Sequence, residues 1–447
     1  MKIGESRVGD YLVLRPAGRL DTQTTAEFQS KLLDLVRSDT VDVIVDFTDI
    51  DYISSAGLRS LMAAVKVKPK ARRIAVSGLN PLVQEIYEIA RFQHVIPAFG
   101  SVEEVAAAWD RPSEPEPKEE AAEPQAPPIV IRFWGTRGSL PVALNHRGVR
   151  DKIRAALLAA RERDVSTPEA IDAFLDSELP FSMTGTFGGN TSCVQIETGR
   201  DEYLLCDLGS GAREFGNRVL AQHGPGRPQS FNIFMSHVHW DHIMGFPFFT
   251  PAYIPGNRLR IYGCHDILRE ALQRQHAAPS FPVEFSALGS TIEFIKIEPG
   301  VTYEVAGFSV TAIKQFHSGD SYGYRFERDG KAIVYTTDCE HKAQMLDTSY
   351  PFVDFYRDAD ALIFDTMYSL AEAISVKEDW GHSSNLVAVE LAQLARAKRL
   401  IMFHHEPAYD DVKIQGVFGE TVRFEEISRE EHKVEVIAAY DGLELSV

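Results

Sequence analysis

Apolar positions in the first 110 residues switch repeatedly between a period of two and a period of 3.6. Tyr11-Leu12-Val13-Leu14 predicts a strand. Over residues 22–36, Phe28, Leu32, Leu33 and Val36 share one helical stripe, and Asp21 is placed to cap it. Residues 41–47 predict a buried strand, because Val43-Ile44-Val45 is β-branched throughout. A second helix runs through Leu58, Leu61, Met62 and Val65. Arg73-Ile74-Ala75-Val76 predicts another strand, and Pro81 opens a helix carrying Leu82, Val83, Ile86 and Ile89. Alternation at these lengths predicts a small α/β domain over residues 1–110, one sheet with helices packed on it.

The pattern then breaks. Residues 111–128 contain Pro-Ser-Glu-Pro-Glu-Pro-Lys-Glu-Glu and Glu-Pro-Gln-Ala-Pro-Pro, which cannot build a core and predict a semi-stiff linker. From residue 129 to 447 strands dominate. Ile129-Val130-Ile131-Arg132-Phe133 leads into Gly135, and Tyr203-Leu204-Leu205-Cys206 ends at Asp207. Further strands are expected at 259–262, 292–297, 308–313, 322–326, 332–336, 361–364 and 399–403. Residues 148–178 read as mostly helical and are placed to serve as a lid. Strands in hairpin-like runs with flanking helices predict two packed sheets covered by helices, an α/β architecture.

Composition adds limits. The formal net charge of −18, with most of the acidic excess beyond residue 112, works against extended nucleic-acid binding. Cys193, Cys206, Cys264 and Cys339 form no C-x-x-C pair, so small buried thiols in a reducing compartment are expected. The N-terminus lacks an apolar signal core and no apolar run approaches a membrane span. A cytoplasmic protein without a membrane partner is the expectation.

The chemistry concentrates in Ser236-His237-Val238-His239-Trp240-Asp241-His242, directly after the strand-like run Phe231-Asn232-Ile233-Phe234-Met235. In an extended loop His237 and His239 share a face, while Asp241 and His242 turn the corner towards a second ion. Of 14 histidines, all but His94, His146 and His223 lie from His237 onward. His317, Asp338 and His404 each follow a strand, where loop residues converge. Five imidazoles and two carboxylates favour zinc first, then manganese or iron, over magnesium or calcium. Two such ions would suit phosphoester hydrolysis by activating water near neutral pH and stabilising attacking and leaving oxygens.

Two resemblances follow from these motifs. Gly18-Arg19-Leu20-Asp21 and Asp51-Tyr52-Ile53-Ser54-Ser55-Ala56-Gly57-Leu58-Arg59 resemble the STAS family of anti-sigma-factor antagonists. That resemblance implies phosphorylation of Ser55 by a serine kinase, with an anti-sigma factor and a phosphatase as partners. Ser54, where the family often has Asp, and Ser55 also suit a helix cap. Residues 129–447 resemble the metallo-β-lactamase superfamily, an αββα sandwich. Gly135-Thr136-Arg137-Gly138-Ser139, Gly188-Gly189-Asn190-Thr191-Ser192, His239-Trp240-Asp241-His242 and Phe403-His404-His405-Glu406-Pro407 are similar to its phosphodiesterase and ribonuclease Z branch. The resemblance implies one ion on His237, His239 and His317, another on Asp241, His242 and His404, and Asp338 between them. It implies that Asp207 orients the metal loop, and that His382 in Trp380-Gly381-His382-Ser383 donates a proton. Asn190, His405, Glu406 and His341 are expected as supporting or substrate-contacting residues, and Arg137 and Arg213 as phosphate contacts.

The resulting expectation is hydrolysis of a small phosphodiester, cyclic or linear, with Asp241 and His382 in the catalytic machinery. The rivals are RNA processing like that of ribonuclease Z, lactone or thioester hydrolysis, and a signalling binder with the metal domain as sensor.

Overall fold

The computed structural model describes residues 2–21, 24–37, 41–69, 72–89, 92, 95–110, 129–341, 349–369 and 380–447. The chain divides into two compact units, residues 1–122 and 123–447. The expected linker, 111–128, lies outside the described residues.

The N-terminal unit runs β1 (Lys2–Val8), β2 (Tyr11–Leu20), α1 (Thr25–Arg37), β3 (Val43–Asp46), β4 (Ile50–Ile53), α2 (Ser55–Val67), β5 (Ile74–Ser77), α3 (Pro81–Ile89), β6 (Ala98–Phe99) and α4 (Val102–Asp110). Its sheet has the order β1-β2-β3-β5-β6, with β4 also paired to β2. Phe28, Leu32 and Val36 of α1 pack with Leu58 and Leu61 of α2 against Leu14, Val43 and Val45 on one face. Val102 and Val105 of α4 cover Val13, Ile44 and Ala75 on the other. Ser54 caps α2, its hydroxyl accepting from the Gly57 amide at 3.4 Å, and Ser55 is the first helical residue.

The C-terminal unit begins with β7 (Val130–Gly135), α5 (His146–Ala159), α6 (Pro168–Ser177) and α7 (Phe181–Thr184). Next come β8 (Cys193–Ile196), β9 (Tyr203–Cys206), α8 (Gly211–His223), β10 (Ser230–Phe234), α9 (Trp240–Ile243), β11 (Arg258–Gly263), α10 (Leu268–Gln275) and β12 (Thr291–Lys296). The second half supplies β13 (Thr302–Val305), β14 (Phe308–Gln315), β15 (Ser321–Arg328), β16 (Lys331–Thr336), β17 (Ala361–Asp365), β18 (Arg399–Phe403), β19 (Glu435–Ala438) and β20 (Glu444–Ser446). Helices Pro351–Tyr356, Asn385–Leu394 and Asp411–Ser428 lie between these strands.

Two seven-stranded sheets result, β12-β11-β10-β9-β8-β7-β20 and β13-β14-β15-β16-β17-β18-β19. Strand alternation explains why the central strands of each are dry on both faces. Leu204, Cys206 and Phe234 point inward and meet Ile333, Tyr335, Ile363, Ile401 and Phe403 of the other sheet. The intervening Leu205, Phe231 and Ile233 face outward under Phe215 of α8 and Leu272 of α10. On the far side Val334, Leu362 and Leu400 are covered by Tyr356 and by Val387 and Leu391. This is the αββα layering of a metallo-β-lactamase fold with a small α/β domain ahead of it. The helical stretch expected at 148–178 is α5 and α6, and α5 buries none of its residues. Among the described residues no helix is long and apolar enough to cross a membrane.

Candidate metal centre

The centre sits at the C-terminal ends of β9, β10, β16, β17 and β18, where the chain leaves the sheets. Asp207 follows β9, is fully buried, and organises the loop after β10. Its carboxylate accepts from the Ser236 amide at 2.7 Å, the Ser236 hydroxyl at 2.6 Å and the Tyr335 hydroxyl at 2.7 Å. His242 places Nδ1 2.7 Å from the same carboxylate. An ionised carboxylate only accepts, so Nδ1 carries the proton and Nε2 presents a lone pair inward.

That lone pair faces other acceptors. His242 Nε2 lies 3.2 Å from Asp241 Oδ2, 3.1 Å from Asp338 Oδ1 and 3.3 Å from His404 Nε2. His404 Nε2 is in turn 3.1 Å from Asp241 Oδ2 and 3.2 Å from Asp338 Oδ1. The other oxygen of Asp338 looks the opposite way, 3.5 Å from His237 Nε2 and 3.6 Å from His317 Nε2. His317 Nδ1 donates to the Gly381 carbonyl at 2.8 Å, which leaves Nε2 bare, 3.1 Å from His239 Nδ1. His237 Nε2 is buried with no hydrogen-bond partner. Two four-residue groups emerge, His237, His239, His317, Asp338 and Asp241, His242, Asp338, His404, each with ligand atoms within 4.8 Å of one another. Lone pairs converging in a dry interior are costly unless a cation lies between them, and this donor set fits zinc, manganese or iron.

The electrostatics agree. Burial, with His242 and other imidazoles beside it, holds His237 well below the usual histidine range. Burial also lowers His239 and His317. Burial opposes ionisation of Asp241, but His242 first and then His404 beside it outweigh it, and the carboxylate stays ionised. Burial works against a charged His242 as well, yet Asp241, Asp338 and Asp207 raise it well above its ordinary value. The same negative field favours a metal cation there.

His382 closes the site. Its Nδ1 lies 2.8 Å from Asp365 Oδ2, and its ring stacks on His404 with centroids 5.1 Å apart. Burial resists the charge, but Asp365, Asp338 and Asp241 lift His382 to about 9. Asp365, at the end of β17, is the residue that motif spacing passes over. Its Oδ1 and Oδ2 also accept from the Met367 and Cys339 amides at 3.1 and 3.3 Å. A backbone contact is equally hidden from sequence: the Ser139 amide donates to Asp241 Oδ2 at 2.7 Å.

Other expected residues are brought close but engaged elsewhere. Asn190 Oδ1 accepts from the Ser210 hydroxyl at 3.0 Å, and its amide is held by Asp441 at 2.9 Å. His405 directs Nε2 to the Ala439 carbonyl at 2.8 Å, and burial pushes it down to about 4. Both support the loops that flank the centre. Arg137 is 2% exposed and donates to the Gly188, Glu406 and Tyr409 carbonyls, so it staples loops instead of meeting a phosphate. Arg213 is exposed and pairs with Glu214. His341 lies between the Tyr350 and Tyr356 hydroxyls at 2.8 and 3.2 Å.

Comparison with known proteins follows the same division. Residues 203–405 match the model of the Beta-lactamase superfamily domain, and residues 3–97 match the model described as Mlab, STAS domain. Ribonuclease Z of Thermoplasma acidophilum is 25% identical over 261 residues, covering 45% of this chain and 80% of that protein. The putative anti-sigma factor antagonist BtrV of Bordetella bronchiseptica is 29% identical over 110 residues, covering 24% of this chain and 95% of that protein. Among solved structures, the metallo-beta-lactamase fold protein YhfI from Bacillus subtilis aligns with a TM-score of 0.48 at 19% identity, over 72% of this chain and 99% of that one. The chain thus joins an N-terminal STAS domain to a C-terminal metallo-β-lactamase-fold domain. It is a metal-dependent hydrolase of that fold.

Proposed function

We propose that the C-terminal domain hydrolyses a small phosphodiester, cyclic or linear, at a two-metal centre. The supporting observation is Asp338, one oxygen turned to each group of imidazoles, with His382 beside them. Zinc, or failing that manganese or iron, held there would supply an activated water and neutralise charge developing on the phosphoryl oxygens. The chain's own residues prepare the rest. Asp207 fixes the His242 tautomer, the Ser139 amide fixes Asp241, and the Gly381 carbonyl fixes His317. His382, gripped at Nδ1 by Asp365, keeps Nε2 for the departing oxygen, as a general acid requires.

Turnover of bis(p-nitrophenyl) phosphate by the metal-loaded chain is expected, and Asp338→Ala or a chelator is expected to abolish it. Loaded protein that ignores phosphodiesters but opens lactones or thioesters overturns this reading. Relatives named ribonuclease Z favour RNA as a second reading. Cleavage of a precursor transfer RNA well above the rate on small diesters would select it. Silence on every ester would select the signalling binder.

For the N-terminal domain, the proposal is control through phosphorylation of Ser55 by a serine kinase, reversed by a phosphatase and read by an anti-sigma factor. The position supports it, since a phosphate on the first residue of α2 meets the positive end of the helix. Intact-mass analysis after treatment with a kinase that phosphorylates STAS domains is expected to show one phosphate, absent from Ser55→Ala. Equal labelling of both proteins would place the modification elsewhere.

A further inference from the structure

Helix α5 has no buried side. Its Val149, Ile153 and Leu157 are 43, 56 and 67% exposed, and their spacing of four stacks them in one strip. Arg147, Arg150 and Arg154 run along the adjoining strip, all exposed, and among the described residues none of them pairs with a carboxylate. The helix is nevertheless fixed. Asn145 caps it, accepting from the Arg147 and Gly148 amides at 3.0 Å. On the opposite edge Lys152 Nζ donates to the Ser182 carbonyl at 2.7 Å and to the Gly185 carbonyl and Asp411 at 2.5 Å. Polar contacts anchor the inner edge, so the apolar strip remains turned outward.

We propose that this face of α5 docks peripherally on an anionic lipid bilayer. Aliphatic side chains beside an arginine strip match the chemistry of a bilayer surface, apolar chains below and phosphate headgroups above. A chain of net charge −18 is repelled by such a surface in most orientations, and a local cationic strip selects one. Nucleic acid fits less well, because α5 offers no Phe, Tyr or Trp for a base to stack on. Pairing α5 with α5 of a second copy would set arginine strips of like charge side by side. The contact is peripheral, since no described helix crosses a membrane. Six residues lie between Ser139, bonded to Asp241, and His146 at the start of α5. Their backbones therefore lie at most roughly 25 Å apart, which keeps a docked bilayer close to the metal centre.

Sedimentation of the full chain with phosphatidylcholine vesicles, with and without phosphatidylglycerol, tests this. Binding is expected only with the anionic lipid, roughly thirtyfold weaker when Arg150→Ala and Arg154→Ala are combined. Ile153→Asp is expected to lose binding as well while keeping the wild-type metal content, which separates lost docking from lost folding. Absence of binding, or equal binding by all variants, overturns the proposal. So does retention on a single-stranded oligonucleotide in place of vesicles, or a change in oligomeric state on Ile153→Asp without vesicle binding.

Discussion

A buried imidazole keeps a proton at neutral pH only where carboxylates face it, and His382 meets Asp365 at 2.8 Å. Lifted to about 9, His382 is protonated below that pH and loses the proton as pH rises through it. A general acid must be protonated to act, so the proposed hydrolysis should fall on the alkaline side. Asp365→Asn removes the leading favourable charge. It is expected to lower kcat by about tenfold or more and to move the alkaline limb down towards ~6.5, with metal content retained. A pH–rate profile with parallel metal analysis checks this, and an unmoved limb would mean that the dyad carries no proton. His237, His239, Asp241 and His242 were legible because ligand types two and three apart can meet one site without help from tertiary structure. Asp365 was not, because one aspartate after an apolar run is an ordinary turn residue. The usable signal was collective: β16, β17 and β18 are neighbours, and each ends at a ligand-type residue, Asp338, Asp365 or His404. Asn190 and His405 take the supporting half of what was expected of them, and Arg137 joins them, since their motifs mark loops that must be held together and their side chains do the holding.

At the scale of elements, strands set the height of the ligands and loops set their aim. The loop preceding helix Asn385–Leu394 shows how narrow that aim is. Gly381 has φ of 84°, its carbonyl accepts from His317 Nδ1 at 2.8 Å, and a Cβ there would collide with the same nitrogen. Gly381→Ala is therefore expected to displace His317 and empty the His237, His239, His317 group. The Asp241, His242, His404 group does not touch that loop through this bond. Metal analysis should give about one ion per chain where the wild type holds about two. Two ions retained in Gly381→Ala would show that the carbonyl does not aim His317. The strands themselves were largely readable, because burial on both faces writes near-continuous Val, Ile, Leu and Phe into β9, β10, β16, β17 and β18. Strand β1, KIGESRV, was not readable. Its side chains are mostly exposed, and its backbone pairing with β2 from Lys2↔Ala17 to Val8↔Tyr11 leaves no alternation in the sequence.

At the scale of the whole molecule, each buried apolar cluster among the described residues belongs to one unit. Buried members from Tyr11 to Val105 belong to the first unit, and those from Ile129 onward belong to the second. Each unit therefore has the means for its own cooperative transition. Only the second gathers the proposed ligands, so metal should act on one transition alone. Without cations, the carboxylates of Asp241 and Asp338 and the unpartnered His237 Nε2 stay buried together. Ligation of the native state at metal a hundredfold above its dissociation constant adds about 2.7 kcal/mol. For a domain of this size that corresponds to roughly 4 °C in Tm. Differential scanning calorimetry of the full chain, loaded and then stripped with chelator, should show the C-terminal transition fall by that amount while the N-terminal one stays in place. Movement of both transitions would mean that metal also binds outside these seven residues, and movement of neither would mean that they hold no metal.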